Sequence, residues 1–299
     1  MNPSVAVTSV EKSYGKLKAV DGISFSVGKG ETFGFLGPNG AGKSTTLHVL
    51  AGLTKPDAGE VCIEGGLDPT RKEVRRLIGF APQSLALYEE LSGRKNLSFF
   101  GGLFGLSGSL LAQRVDAALE FAGLSDRADT PVSKWSGGMK RRLNFACAIV
   151  HDPPVLLLDE PMVGIDPQSR NHMFDAIEKL KSEGRTIIYT THYMEEAARL
   201  CDRIGIIDNG RMLAIDTLTG LLDKWGGPSW VVAEFDSEPP DIHADGCERA
   251  GNVLKIRTAS PFDVIAQIAS TGRKPSVLRV DRPNLEGVFL TLTGRKLRD

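Results

Sequence analysis

Gly37-Pro38-Asn39-Gly40-Ala41-Gly42-Lys43-Ser44-Thr45 satisfies G-x-x-x-x-G-K-[ST] at every fixed position. An apolar, β-prone run, Thr32–Leu36, leads straight into it, and Leu47, Val49, Leu50 and Leu53 follow with helical character. A strand before and a helix after is the setting in which this pattern binds phosphate. Its glycines let successive backbone N–H groups turn toward an anion without a Cβ in the way. The helix N-terminus adds the positive end of its dipole. Lys43 is placed to reach terminal phosphates, and the Ser44 hydroxyl is a ligand for Mg²⁺. A glycine-rich turn with a merely solvated lysine is the bland alternative, and the complete motif in its proper setting argues against it.

Downstream, Val155–Leu158 is a short, wholly apolar run, as expected of a strand buried on both faces of a parallel sheet. It ends in Asp159-Glu160-Pro161, which puts two carboxylates at the C-terminal end of a strand, where open α/β sheets bind ligands. Asp159 is expected to hold Mg²⁺ through water. Glu160 is expected to act as general base on an attacking water, a role that typically supplies 10²–10⁴-fold. Strand-like runs at Val5–Val10, Ile23–Val27, Thr186–Thr190 and Ile204–Ile207 join these two. They alternate with helical periodicity over Gly93–Ala122, Gly137–Val150, about Gln168–Ser182 and about Met194–Leu200, and this alternation argues for a parallel α/β core.

The 299 residues suffice for one large domain or a large one with a small companion. Thirty-six basic residues stand against 37 acidic ones, so nothing points to a nucleic-acid footprint. Cys62, Cys147, Cys201 and Cys247 form no paired spacing, which favours reduced, mostly buried thiols over zinc or disulfides. No secretory signal is visible at the start. Asn96–Gln113 is apolar and uncharged but broken by glycines and serines, and it reads as a helix and turn rather than a membrane span. The chain is expected to be soluble. Near Trp225-Gly-Gly-Pro the pattern changes to short strands (Ser229–Phe235, Val253–Arg257, Val277–Val280) and two short helices (Pro261–Ser270, Asn284–Thr293). This places a domain boundary there, giving residues 1–224 and a small α+β domain over 225–299.

Trp135-Ser136-Gly137-Gly138-Met139 opens a helix between the two motifs. Together with Gln83 in Ala-Pro-Gln and His192 in Tyr-Thr-Thr-His, it resembles the nucleotide-binding subunits of ABC transporters, over residues 4–220. The resemblance implies a P-loop NTPase core with a mainly parallel sheet, an antiparallel β subdomain and a helical subdomain at about 84–150. It implies ATP and Mg²⁺ as ligands. Tyr14 matches the aromatic that stacks on adenine, and Gln83 the residue that contacts Mg²⁺ and the water. His192 matches the switch histidine at the γ-phosphate, and Asp166 the loop that crosses to a second copy. Two copies are implied to close head to tail over two ATPs, so that Ser136, Gly137 and Gly138 of one face Lys43 of the other. The usual Leu and Gln of the signature are replaced by Trp135 and Met139.

Tyr193–Ile204 looks like the ATPases paired with ABC-2 type membrane proteins, mostly exporters. Asn284–Asp299 resembles the ending of drug-resistance and nodulation-factor exporters. The implied partners are an ABC-2 type permease subunit and a second copy of the chain, and the implied place is the cytoplasmic face of the cell membrane. A groove near Gln83 and Tyr88–Phe104 is expected to receive the permease, with Leu85, Leu87, Tyr88, Leu91, Phe99 and Phe100 near it and most of them in the core. An import ATPase and a soluble, non-transport ABC ATPase are the alternatives.

Overall fold

The computed structural model describes residues 3–295 apart from 243 and 245. These divide into two compact units, one ending at Thr217 and one beginning at Leu218. In the first unit the chain runs β1 (Val5–Tyr14), β2 (Leu17–Val27), β3 (Thr32–Leu36), α1 (Lys43–Leu50), β4 (Ala58–Ile63), α2 (Lys72–Arg75) and β5 (Ile78–Ala81). It continues α3 (Gly93–Leu103), α4 (Gly108–Phe121), α5 (Gly137–Ile149), β6 (Val155–Asp159), α6 (Pro167–Ser182), β7 (Thr186–Thr191), α7 (Met194–Leu200), β8 (Arg203–Asp208) and β9 (Arg211–Asp216).

A six-stranded sheet of order β5-β6-β7-β3-β8-β9 forms its centre, parallel except for the antiparallel edge strand β9. Every residue of β3, β6 and β7 is buried, which is why these strands read as continuous apolar runs. A three-stranded antiparallel sheet, β2-β1-β4, packs beside it. The two share an aromatic knot in which Phe25 lies 5.1 Å from Phe33 and 5.0 Å from Phe35. Each such ring contributes about 1.5–3 kcal/mol by burial.

The helical segment keeps a second core of its own, built on Leu97, Leu119, Val132, Trp135 and Leu143. The expected run Gly93–Ala122 is two helices, because Gly105 takes φ 92° and turns the chain between them. Ser92 caps α3 by accepting from the Lys95 N–H, and Ser136 caps α5 by accepting from that of Met139. The expectation that most of the six groove residues are core is corrected. Leu85, Tyr88 and Phe99 are exposed, and Leu87, Leu91 and Phe100 are half-buried. The cause is that Leu97 and Gly101 take the inward face of α3. The aromatic rings pack on one another instead, Tyr88–Phe99 at 4.9 Å and Phe99–Phe100 at 5.5 Å.

The second unit comprises α8 (Leu218–Trp225), β10 (Ser229–Glu234), β11 (Cys247–Ala250), β12 (Val253–Thr258), α9 (Pro261–Ser270), β13 (Val277–Asp281) and α10 (Leu285–Thr293). Its antiparallel sheet has the order β11-β12-β10-β13, and α9 covers one face through Val264 and Ile268. The chain break expected at Trp225 is the end of α8, whereas compactness divides the chain before that helix. The reason is that α8 packs on α10. Asn284 caps α10 by accepting from the Gly287 N–H at 2.9 Å. The last residues of the Asn284–Asp299 stretch, 296–299, lie outside the described ones. Of the cysteines, Cys147 and Cys201 are buried, while Cys62 and Cys247 are half-buried free thiols rather than core.

His151 follows α5 and stacks on Phe104, centroids 3.6 Å apart and rings within 6° of parallel. Its Nε2–H donates to the Ile78 carbonyl at 3.2 Å, while Nδ1 is buried without a hydrogen-bond partner among the described residues. Burial pushes its pKa down to about 4. Below about pH 6.5 the unfolded chain therefore binds a proton that the folded chain refuses. This contribution is complete above about pH 6.5 and is lost as pH falls toward 4, about 3 kcal/mol across the window. His151→Phe should remove that part of the slope, so that urea unfolding at pH 7 and pH 4.5 gives a smaller stability difference than in the wild type.

Candidate active site

Three neighbouring strands, β6, β7 and β3, end side by side at one edge of the sheet, and each hands the chain to a functional loop. This is the edge at which open α/β sheets bind ligands. The loop after β3 is the phosphate cradle. Gly42, at φ 103°, stands where a Cβ would come within 2.3 Å of the Ala19 carbonyl oxygen, so only glycine fits. Lys43, the first residue of α1, bends back over the loop and donates to the Gly37 carbonyl at 2.7 Å and the Pro38 carbonyl at 3.0 Å. Its third contact is the Glu160 carboxylate at 2.9 Å. Lys43 and Glu160 are each only 4% exposed.

Glu160 follows the last residue of β6 with φ 45°, a left-handed backbone that costs a non-glycine residue of order 1–3 kcal/mol. Thr190 of β7 holds it there. The Thr190 hydroxyl accepts from the Glu160 N–H at 2.9 Å and donates to Asp159 Oδ1 at 2.7 Å. Around the Glu160 carboxylate stand Gln83, whose Nε2 donates to Oε2 at 3.3 Å, and His192, with Nδ1 at 3.1 Å from the same oxygen. A buried carboxylate that meets a lysine, an amide and an imidazole at one point can orient a water and take its proton.

A cleft of about 340 Å³ opens over this point. Pro38 to Thr45, Gln83 and Glu160 line it, and Tyr14, Leu17 and Ala19 form its outer wall. Tyr14 is half exposed at the end of β1, with the Lys12 ammonium 5.8 Å from its ring centroid. His192 and Asp159 are not on the cleft wall and reach it only through Glu160 and Thr190. Ser136, Gly137, Gly138 and Asp166 lie elsewhere, together. Asp166 caps α6 by accepting from the Ser169 N–H at 2.9 Å, and that bond holds its carboxyl below the usual carboxylate range. A Cβ on Gly138 would come within 2.3 Å of Ser169 Oγ and 2.8 Å of Asp166 Oδ2, so the signature and the start of α6 touch. Ser136 and Gly137 are exposed.

Sequence reasoning passed over Thr190, although it stands two residues before His192. It also passed over Arg141 and Asn144, one and two turns into the signature helix. Arg141 donates to the backbone carbonyl of Gln83 and, at 3.3 Å, to that of Val163. Asn144 bonds the Pro82 carbonyl at 3.1 Å and the Ala86 N–H at 3.0 Å. The loop carrying Gln83 is thus held by α5.

A phosphate cradle joined to a strand-end carboxylate on a mainly parallel sheet defines an ATP-hydrolysing cassette. The ABC transporter family is matched over residues 20–163. The linearmycin resistance ATP-binding protein LnrL of Bacillus subtilis (strain 168) is 41% identical over 97% of this chain and 98% of its own length. Nod factor export ATP-binding protein I of Ralstonia nicotianae is 41% identical over 99% of this chain and 96% of its own. Among solved structures, an ATP-binding subunit of an ABC transporter superposes with TM-score 0.68 at 30% identity, covering 74% of this chain and 93% of that one. A dimeric ATP-binding cassette in a post-hydrolysis state, bound to ADP and Pi, superposes with TM-score 0.66 at 28% identity, over 72% and 98%. The chain belongs to the ABC transporter family as an ATP-binding subunit, and it is an ATPase.

Thr190→Val keeps the shape of the strand but removes both hydroxyl bonds. Losing a buried bond of this kind costs about 1–3 kcal/mol. Steady-state phosphate release should fall by roughly tenfold or more, while Thr190→Ser stays near the wild type.

Proposed function

We propose that this chain is the ATP-hydrolysing subunit of an ABC-2 type exporter. It acts as a homodimer that sandwiches two ATPs and drives a separate transmembrane permease from the cytoplasmic face of the cell membrane. The observation that carries the reading is the separation of two half-sites. Lys43, Gln83 and His192 converge on Glu160, whereas Ser136 and Gly138 open a helix that contributes nothing to the wall of the cleft. A hydroxyl and helix N-terminal N–H groups facing outward are suited to the γ-phosphate held by a second copy. The solved cassette that resembles this chain in its post-hydrolysis state is described as dimeric.

Within one half-site, Tyr14 stacks on adenine and the N–H groups of residues 37–45 cradle the phosphates. Lys43 leaves Glu160 for the β- and γ-phosphates. The freed carboxylate takes the proton of the attacking water, which Gln83 and His192 orient. For Mg²⁺ the donors present are oxygens: the Ser44 hydroxyl, the Gln83 amide oxygen and, through water, Asp159, one of whose oxygens remains beside the Thr190 bond. Among the described residues no three His, Cys, Asp or Glu side chains cluster into a cage. A hard cation that arrives with phosphate and water ligands fits such a set. Held there, Mg²⁺ would neutralise phosphate charge.

Export is supported by the relatives, whose names describe Nod factor export and linearmycin resistance and whose likeness spans nearly the whole chain. No described helix is long and apolar enough to cross a membrane, and this reading assigns the translocation path to the separate permease. The permease docks at a cavity of about 440 Å³ beside the Gln83 loop. Phe80, Phe100, Leu103 and Phe104 line it, and Lys72, Arg75 and Arg76 form its α2 rim. An apolar helix with acidic flanks fits these walls.

Glu160→Gln should keep ATP binding, lower steady-state hydrolysis by at least about 10²-fold and run as a dimer with MgATP in light scattering. Full turnover in this variant would sink the base assignment. Reversing charge at Arg75 and Arg76 together should weaken co-purification with the membrane subunit. Co-purification with a periplasmic-type binding-protein system, rather than with a permease lacking its own ATPase domain, would refute the exporter reading.

A further inference from the structure

The residue before His192, Thr191, is tied to a buried carboxylate that plays no part in the chemistry above. Glu196, in the first turn of α7, is 2% exposed. Its Oε2 accepts from the Tyr189 hydroxyl at 2.7 Å and from the Thr191 hydroxyl at 2.7 Å. The Thr191 oxygen in turn accepts from the Tyr193 N–H at 2.9 Å, which closes a ring of bonds around the backbone of His192. Burial and the neighbouring carboxylate push the Tyr189 phenol well above its ordinary pKa, which favours the protonated, donating form.

The other oxygen, Glu196 Oε1, is buried with no hydrogen-bond partner among the described residues, and the Arg170 guanidinium lies 3.8 Å from it. Arg170 belongs to the first turn of α6, the helix that Asp166 caps. Its guanidinium also lies over the Tyr193 ring, 5.1 Å from the centroid. That ring is 4.1 Å from the His192 ring, and His192 Nδ1 is 3.1 Å from Glu160. A buried carboxylate with one unbonded oxygen is costly, and a well-packed apolar residue in its place is often neutral or stabilising. The other inward positions of α7 are Ala197 and Leu200, so packing alone gives no reason for an acid here.

We propose that Glu196 is the positioning residue of the His192 loop. It fixes the Thr191–Tyr193 backbone so that the imidazole faces Glu160, and through Arg170 it ties this loop to the start of α6, where the signature also touches. The inference rests on the reading that His192 and Glu160 act together in hydrolysis.

The test is a double-mutant cycle on the full chain, read as kcat, KM for ATP and single-turnover phosphate release. Glu196→Gln sets an amide donor against Arg170. It should lower kcat about tenfold with KM within about twofold, the size expected when a buried charged contact is mispaired. In a His192→Ala background the same change should cost nothing further, because the two act through one group. Thr191→Val should lose activity as Glu196→Gln does, and Thr191→Ser should restore it. This pair reads the same contact if the Glu196 variant does not fold. Unchanged kcat, a rise in KM alone, or losses that multiply in the double variant would overturn the assignment. Full turnover in His192→Ala alone would instead refute the reading of the site on which it rests.

Discussion

The structure turns on an ammonium and a carboxylate 2.9 Å apart in a place where neither meets bulk water. A buried pair of this kind is a poor source of stability, since the cost of removing two charges from water rivals their attraction. It persists only with near-ideal geometry and further bonds. Lys43 has two loop carbonyls, and Glu160 has Gln83, His192 and the Thr190 hydroxyl behind its backbone. Sheet order makes this possible, for β6, β7 and β3 are adjacent and parallel. A phosphate arriving at Lys43 competes with Glu160 for the ammonium, so binding the anion and freeing the carboxylate become a single event.

What the sequence revealed follows from how local each constraint is. The phosphate loop was legible because its glycines answer a short-range demand, no Cβ at Gly42, and because strand and helix adjoin it. The acidic strand end was legible because a strand buried on both faces leaves an uninterrupted apolar run. Ser136, Gln83, His192 and Asp166 were found only by resemblance, as nothing near them in the chain states what they face. Thr190, Arg141 and Glu196 escaped notice because their meaning is tertiary, resting on partners 30, 58 and 5 to 7 residues away. The edge strand β5 escaped because its four residues include Gly79, whose missing Cβ is required by the Ala148 carbonyl 2.2 Å away rather than by a turn. The Gly-Gly-Pro after Trp225 follows α8, a helix whose allegiance is decided by its packing on α10.

The two departures in the signature are explained by packing. Trp135 is buried, and its indole N–H donates to the Thr130 hydroxyl at 2.8 Å. A Cβ on Gly93 would come within 2.4 Å of its ring, so the large side chain is admitted by a glycine at the start of α3. Met139 keeps the backbone N–H that Ser136 accepts, while its side chain packs against the helical core. Neither alters the donors that Ser136 and the helix N-terminus present.

Trp135 also joins two surfaces with different proposed tasks. It packs on the start of α3, whose Phe100 and Leu103 line the proposed docking cavity, and it immediately precedes Ser136. Along the same α5, Arg141 and Asn144 grip the Gln83 loop, and Gln83 touches Glu160. The cavity, the signature and the Gln83 loop that touches Glu160 therefore meet on one helix, and close-packed interiors transmit displacement rather than absorb it. A permease segment that shifts the cavity wall must move α5 or break these bonds. Moving α5 displaces Ser136 and Gln83 together, so under the proposed docking the membrane side would have a mechanical hold on both proposed half-sites.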